Sequence, residues 1–198
     1  ISMSDAVILL SGIKAAASEA DPRTQEILSQ PGALPALVIA ADTVVYKEYI
    51  MGKPSDYQDA FHMLDAIRGT YHDVATGVTL LHYTEDQVET GISGNCSNDS
   101  NHIRVSSGAE RSSEAPETLE NKHKTPVVRS FCEVTRVWCK PYTDADIDRY
   151  IQEESPYDKA GSYAIQSSFA EHIDHIEGDY ENVVGLPFER IVREIAAL

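Results

Sequence analysis

The sequence predicts an α/β fold. Three observations carry that expectation: apolar runs of strand length alternate with longer segments of helical periodicity, capping and turn residues separate them, and 42% of the 198 residues are hydrophobic. That share of apolar side chains, at this length, supports one core of good size.

Each element has its own local reason. Residues 4–20 carry apolar positions at Val7, Ile8, Leu10 and Ile13 behind a cap at Ser4 or Asp5, a helical pattern that Asp21-Pro22 should end. Residues 21–35, with Pro31-Gly32 and Pro35, read as a linker. Leu37 to Tyr46 is mostly apolar, as a buried strand is. Ser55 followed by Gln58 reads as a capping box. The helix it opens places Ala60, Phe61, Met63, Leu64 and Ile67 on one side before Gly69 stops it. Residues 72–83 and 127–140 read as partner strands. Thr143 with Asp146 opens a further helix to about Glu154, broken by Ser155-Pro156. Residues 188–198 read as a closing helix with Ile191, Val192 and Ile195 packed. Between the partner strands, residues 84–126 turn polar, and a flexible insertion at a hairpin tip is expected there. Extra loop length costs little closure entropy, so the sheet tolerates it.

Charge narrows the function. Lys and Arg number 16 against 32 Asp and Glu, a net charge of −16. Phosphate backbones and anionic membranes need clustered cations, so neither nucleic acid nor a membrane is an expected partner. A single nucleotide stays compatible, because it needs only a few placed cations. No apolar run is long enough to span a bilayer, and no cationic segment precedes the first apolar stretch as in a signal peptide. Cys96, Cys132 and Cys139 show no CxxC spacing, which suits a reducing, cytoplasmic setting and speaks against disulfides or zinc.

Asp42 is the first chemical signal. It interrupts an apolar strand, where an ionised carboxylate needs a cation, a metal or several donors. Pairing with an arginine or a turn is the ordinary outcome; a catalytic or metal-binding carboxylate at a strand end is the sharper one. Lys53, in Gly52-Lys53-Pro54, and Lys159 are point charges suited to phosphate oxygens. Gln166 offers both a donor and an acceptor, as reading a base edge requires. Asp179 and Asn182 read as turn-forming residues rather than catalytic ones.

Taken in order, Ala41-Asp42-Thr43-Val44-Val45, Gly52-Lys53-Pro54, Thr76-Gly77-Val78, residues 158–166, and Gly178-Asp179-Tyr180 with Asn182-Val183-Val184-Gly185-Leu186-Pro187 resemble the Maf (septum formation protein) family of nucleoside triphosphate pyrophosphatases. Lys14, in Gly12-Ile13-Lys14-Ala15, resembles the family's helical Ala-Lys-Ala. The resemblance implies a fold like that of inosine triphosphate pyrophosphatases, with an elongated mixed sheet and a groove between two lobes. It implies hydrolysis of a nucleoside triphosphate to monophosphate and pyrophosphate with a divalent metal, Mg²⁺ ahead of Mn²⁺. The Asp42-Thr43 pair resembles the subgroup acting on dTTP and UTP. On this analogy Asp42 is general base and metal ligand, and Lys53 and Lys14 stabilise the phosphates. Lys159 joins the phosphate site, while Thr43 and Gln166 shape base selectivity. A homodimer is the family's common assembly.

The pattern also departs from the family. Members open with a strand and a Ser-x-Ser-Pro-Arg-Arg turn, which this sequence lacks; Asp21 to Leu28 is similar only to that motif's tail, and lies out of order. Without the turn, bidentate arginine contacts to the triphosphate are missing, and a sheet edge is expected to be unpaired. With Ile1 in place of Met, residues 1–198 read as a single, N-terminally incomplete Maf-like domain. Two alternatives stand beside the pyrimidine pyrophosphatase. One is an inosine or xanthosine triphosphate pyrophosphatase, which Asp42-Thr43 and Gln166 disfavour. The other is a catalytically impaired regulatory module.

Overall fold

The computed structural model describes residues 1–84 and 125–198. Among the described residues five strands form one sheet: β1 (Ala36–Lys47), β2 (Tyr49–Met51), β3 (Tyr71–Tyr83), β4 (Val127–Cys139) and β5 (Ile173–Glu177). Their order is β2-β1-β3-β4-β5, and each neighbouring pair is antiparallel. The α/β class holds, while the sheet is antiparallel where a mixed one was expected. The expected partnership of residues 72–83 with 127–140 is the β3–β4 ladder. The polar insertion at 84–126 lies almost wholly outside the described residues.

Register decides which side chains share a face, because directly opposed residues point the same way. Asp42 opposes Gly77, which opposes Cys132. Thr43 opposes Thr76 and therefore lies on the other face. Helix α1 (Met3–Ala20) covers the Asp42 face. Its Val7 packs with Val44 and Ala75, its Ser11 hydroxyl meets that of Thr79 at 2.9 Å, and its Ala15 joins Ala40, Leu81 and Tyr83. The other face carries the largest buried cluster, where Val45, Val74 and Val137 meet Leu64, Ile67, Ile147, Ile151 and Phe169. Those partners come from α3 (Tyr57–Ile67), α4 (Asp144–Glu154) and the segment after it. Two short helices, α5 (Tyr180–Val184) and α6 (Phe188–Ile195), complete that side.

Several boundaries differ from expectation for local reasons. Helix α1 is capped by Ser2, whose hydroxyl accepts from Asp5 N–H at 3.1 Å, rather than by Ser4 or Asp5. The expected linker contains α2 (Pro22–Ser29), because Asp21 accepts from Arg23 N–H at 2.8 Å and proline suits the first helical position. Helix α3 is capped by Asp56, not Ser55. Asp56 accepts from Asp59 N–H at 2.9 Å, while Asp59 reaches back to Ser55 N–H at 2.9 Å. Of the three expected apolar positions of α6 only Ile191 is buried, against Val78, Leu80 and Phe131; Val192 and Ile195 are 47% and 37% exposed. The apolar arc of α6 is wider than the strip of sheet beneath it.

One edge of β1 belongs to β3. On the other, only Val45, Tyr46 and Lys47 pair with β2, so among the described residues 36–44 have no strand partner there. This matches the expected unpaired edge.

Candidate active site

The site begins with a glycine. A Cβ on Gly77 would collide with the Val7 carbonyl of α1 and stand 2.7 Å from Ile8 N. Glycine therefore lets the helix backbone rest directly on β3, beside Asp42. Two turns further along α1, Lys14 reaches the β1 edge. Its Nζ is 2.5 Å from Asp42 Oδ1 and donates to the Ala41 carbonyl at 2.9 Å. The side chains are 19% exposed for Asp42 and 55% for Lys14, so the pair stands at an opening rather than in dry core. An ion pair that exposed adds at most about 1 kcal/mol to stability, so it is a weak reason for the fold and a good platform for an anion.

The second group of cations approaches from the Val45 side. The Gly52-Lys53-Pro54 segment follows β2, whose last ladder pair is Met51 with Val45. Gly161 N–H donates to the Gly52 carbonyl at 3.0 Å, which ties the 158–166 segment to the Gly52-Lys53-Pro54 turn. Gly161 has a φ of 67°, and a Cβ there would meet the Val45 side chain at 2.8 Å, so glycine is required on both counts. Lys159 pairs with Asp158 at 2.7 Å. Hydrogen bonding to Lys159 holds the Asp158 carboxyl below its usual range, with smaller help from the charges of Lys159 and Lys53. Lys53, Asp158 and Lys159 thus form one neighbourhood. Beside it lies a cavity of about 500 Å³ lined by Lys159 and Gln166 together with Tyr150, Glu154, Ser167 and Ser168.

Sequence-predicted residues therefore divide between two sides of the sheet. Lys14 and Asp42 meet on one. Lys53, Lys159 and Gln166 gather on the other, the side to which Thr43 points. Thr43 bonds to the Thr76 hydroxyl at 2.8 Å, and the structure does not bring it to the Asp42 face. Thr76 in turn donates to the Asn182 carbonyl at 3.1 Å. The Asn182 amide donates to Val74 O at 3.1 Å and Thr135 Oγ1 at 3.0 Å, and Asp179 caps α5 through Glu181 N–H at 2.8 Å. Asp179 serves the local chain as the sequence suggests, whereas Asn182 anchors α5 to β3 and β4 instead of closing a turn.

Three further features escape sequence reasoning. Gly77 carries no signal of its seat beneath α1. Glu154 and Ser168 are far apart in the chain and meet only in the fold. Buried His72 bonds through Nε2 to the Tyr163 hydroxyl at 2.6 Å, and burial pushes its pKa down to about 4. Among the described residues no group of three or more His, Cys, Asp or Glu side chains is placed to hold a metal. No helix among the described residues is long and apolar enough to cross a membrane.

Comparison with known proteins converges on one family. A family model described as Maf-like protein matches residues 3–113 and 99–198. A dTTP/UTP pyrophosphatase of Carboxydothermus hydrogenoformans is 38% identical over 160 residues, covering 80% of this chain and 64% of that protein. One from Agathobacter rectalis is 39% identical over 163 residues, covering 82% of this chain and 62% of that protein. A third, from Halalkalibacterium halodurans, is 35% identical over 161 residues, covering 81% and 63%. The match with each of these relatives thus spans less than two thirds of its length.

Proposed function

The chain belongs to the Maf family, and from that premise we propose that it hydrolyses dTTP or UTP to the monophosphate and pyrophosphate. The observation that carries this reading is the Asp42–Lys14 pair at a stretch of β1 that has no strand partner on one side among the described residues, with Lys159 and Gln166 lining one cavity on the other face. A triphosphate laid across that edge meets cations from both sides. Lys14, turning from Asp42 to a phosphate oxygen, leaves the carboxylate to orient and deprotonate water. The oxygen of that water attacks the α-phosphorus. The bond from the α-phosphorus to the bridging oxygen breaks, and its electron pair departs with pyrophosphate. Lys14, Lys53 and Lys159 offset the charge gathering there.

A divalent metal fits this donor set in one way. Mg²⁺ commonly takes one or two carboxylates plus substrate phosphates, so Asp42 would hold it together with the triphosphate; Mn²⁺ is the second choice. When bound, the metal neutralises phosphate charge. Gln166, and Thr43 reached around the edge, would contribute to base selectivity. The odd, sparse set of Cys96, Cys132 and Cys139 supports a reducing, cytoplasmic setting.

The test is pyrophosphate release with Mg²⁺ from dTTP, UTP, CTP, ITP and 7-methyl-GTP. Release from dTTP and UTP ahead of the others is expected. Preference for ITP would replace this reading with the purine enzyme, and no release from folded protein would replace it with a regulatory module.

A further inference from the structure

The cavity beside Lys159 holds more than Gln166. Glu154, the last residue of α4, brings its carboxylate to the wall. Ser168 donates to Glu154 Oε1 through its N–H at 3.3 Å and its hydroxyl at 2.7 Å. Both bonds fall on Oε1, so they fix the carboxylate while Oε2 takes no part in them. The neighbouring wall is already satisfied: the Tyr150 hydroxyl bonds to Ser167 Oγ at 3.1 Å and accepts from Ala164 N–H at 3.2 Å. Ser167 Oγ also donates to the Ala164 carbonyl at 2.8 Å. A ligand entering the cavity therefore meets the Glu154 carboxylate held by Ser168, the Lys159 ammonium paired with Asp158, and the Gln166 amide. The volume suits a small heterocycle with part of its sugar.

Those three groups do not discriminate equally. An amide presents either a donor or an acceptor by turning over, so Gln166 alone can match uracil or cytosine. An ionised carboxylate only accepts and an ammonium only donates. Uracil and thymine offer an N3–H donor between two carbonyl acceptors. Cytosine offers a bare N3 lone pair there, which a carboxylate opposite N3 repels; the neighbouring N4 amine could donate to a carboxylate that moved, and the two Ser168 bonds hold Glu154 against that move.

We propose that this cavity takes the pyrimidine base and that Glu154, held by Ser168, admits uracil and thymine and rejects cytosine. Glu154 accepts from N3–H while the Gln166 amide donates to a ring carbonyl oxygen. The proposal rests on the nucleotide-hydrolase reading above and deepens it.

Equilibrium dialysis of UMP and CMP against the full chain tests it, run beside pyrophosphate release from UTP and CTP. The wild type is expected to hold UMP at least about tenfold tighter than CMP, since a site built for a donor rejects an analogue lacking it. Glu154→Gln, whose amide can turn its NH₂ toward N3, should bring that ratio close to one. Ser168→Ala should shift it in the same direction. Circular dichroism confirms that each variant is folded. A wild type without UMP preference, or two folded variants that both keep the wild-type ratio, would overturn the assignment. UMP preference lost in Glu154→Gln, with no pyrophosphate released by the wild type, would support the base pocket and overturn the hydrolase. Release from UTP with selectivity untouched in both variants would do the reverse.

Discussion

Gly77 of β3 lies directly beneath Val7 of α1, and this contact sets how far Lys14 can reach. The helix rests on strand backbone because no side chain separates them. From that height the Lys14 ammonium arrives at both the Asp42 carboxylate and the Ala41 carbonyl. A residue type on β3 thereby governs the geometry of an ion pair between α1 and β1.

Gly77→Ala should therefore do more than fill space. Its methyl meets helix backbone, which cannot swing aside as a flexible side chain can. Overpacking of this kind typically costs about 1–3 kcal/mol, and the value here should lie at the upper end. Urea denaturation measures it, and pyrophosphate release should fall with it as Lys14 is lifted from Asp42. Wild-type stability in Gly77→Ala would mean that α1 does not sit as described.

Lys14→Met separates chemistry from folding. The ion pair is exposed on the lysine side, so its loss should change stability by less than about 1 kcal/mol. Activity should fall on the order of 10²-fold, the scale of losing one preorganised charge at a reacting phosphate. Thermal melts and initial rates on UTP check both halves; unaltered rates would remove Lys14 from the site.

His72 gives the fold a pH dependence. Its folded pKa is pushed down to about 4 by burial, from 6.5, so the unfolded chain binds the proton more readily. The sign follows: the contribution is fully present above pH 6.5 and is lost as pH falls toward 4. At about 1.4 kcal/mol per pH unit, the difference between those two values amounts to about 3 kcal/mol. Unfolding free energies at pH 7 and near pH 4 measure it, and His72→Asn should flatten the slope. A folded variant with the full slope would assign the effect to other groups.

Much of this arrangement is legible in the sequence. Capping by Thr143 and Asp146 is local chemistry, and α4 begins where it says. Alternation along 127–140 marks β4, because one of its faces packs on a core. Period two even implies that Asp42 and Thr43 face opposite ways. What stays hidden has physical causes. Asp21-Pro22 both ends one helix and starts another, and proline gives the same local signal for each. Strand β2 has three residues, too few to show a period. In α6, periodicity finds apolar positions but does not show how little sheet lies beneath Val192 and Ile195. The Glu154–Ser168 clamp exists only because a helix end and a later turn fold together.

The central claim is that Asp42 activates water at the β1 edge, and Asp42→Asn tests it most directly. The change keeps size and shape at a partly exposed position, so the fold should survive. Pyrophosphate release from dTTP and UTP, measured on variant and wild type at equal concentration, is expected to drop by about 10²–10⁴-fold, the usual cost of losing a placed general base. Equal turnover by a folded Asp42→Asn protein would contradict the account.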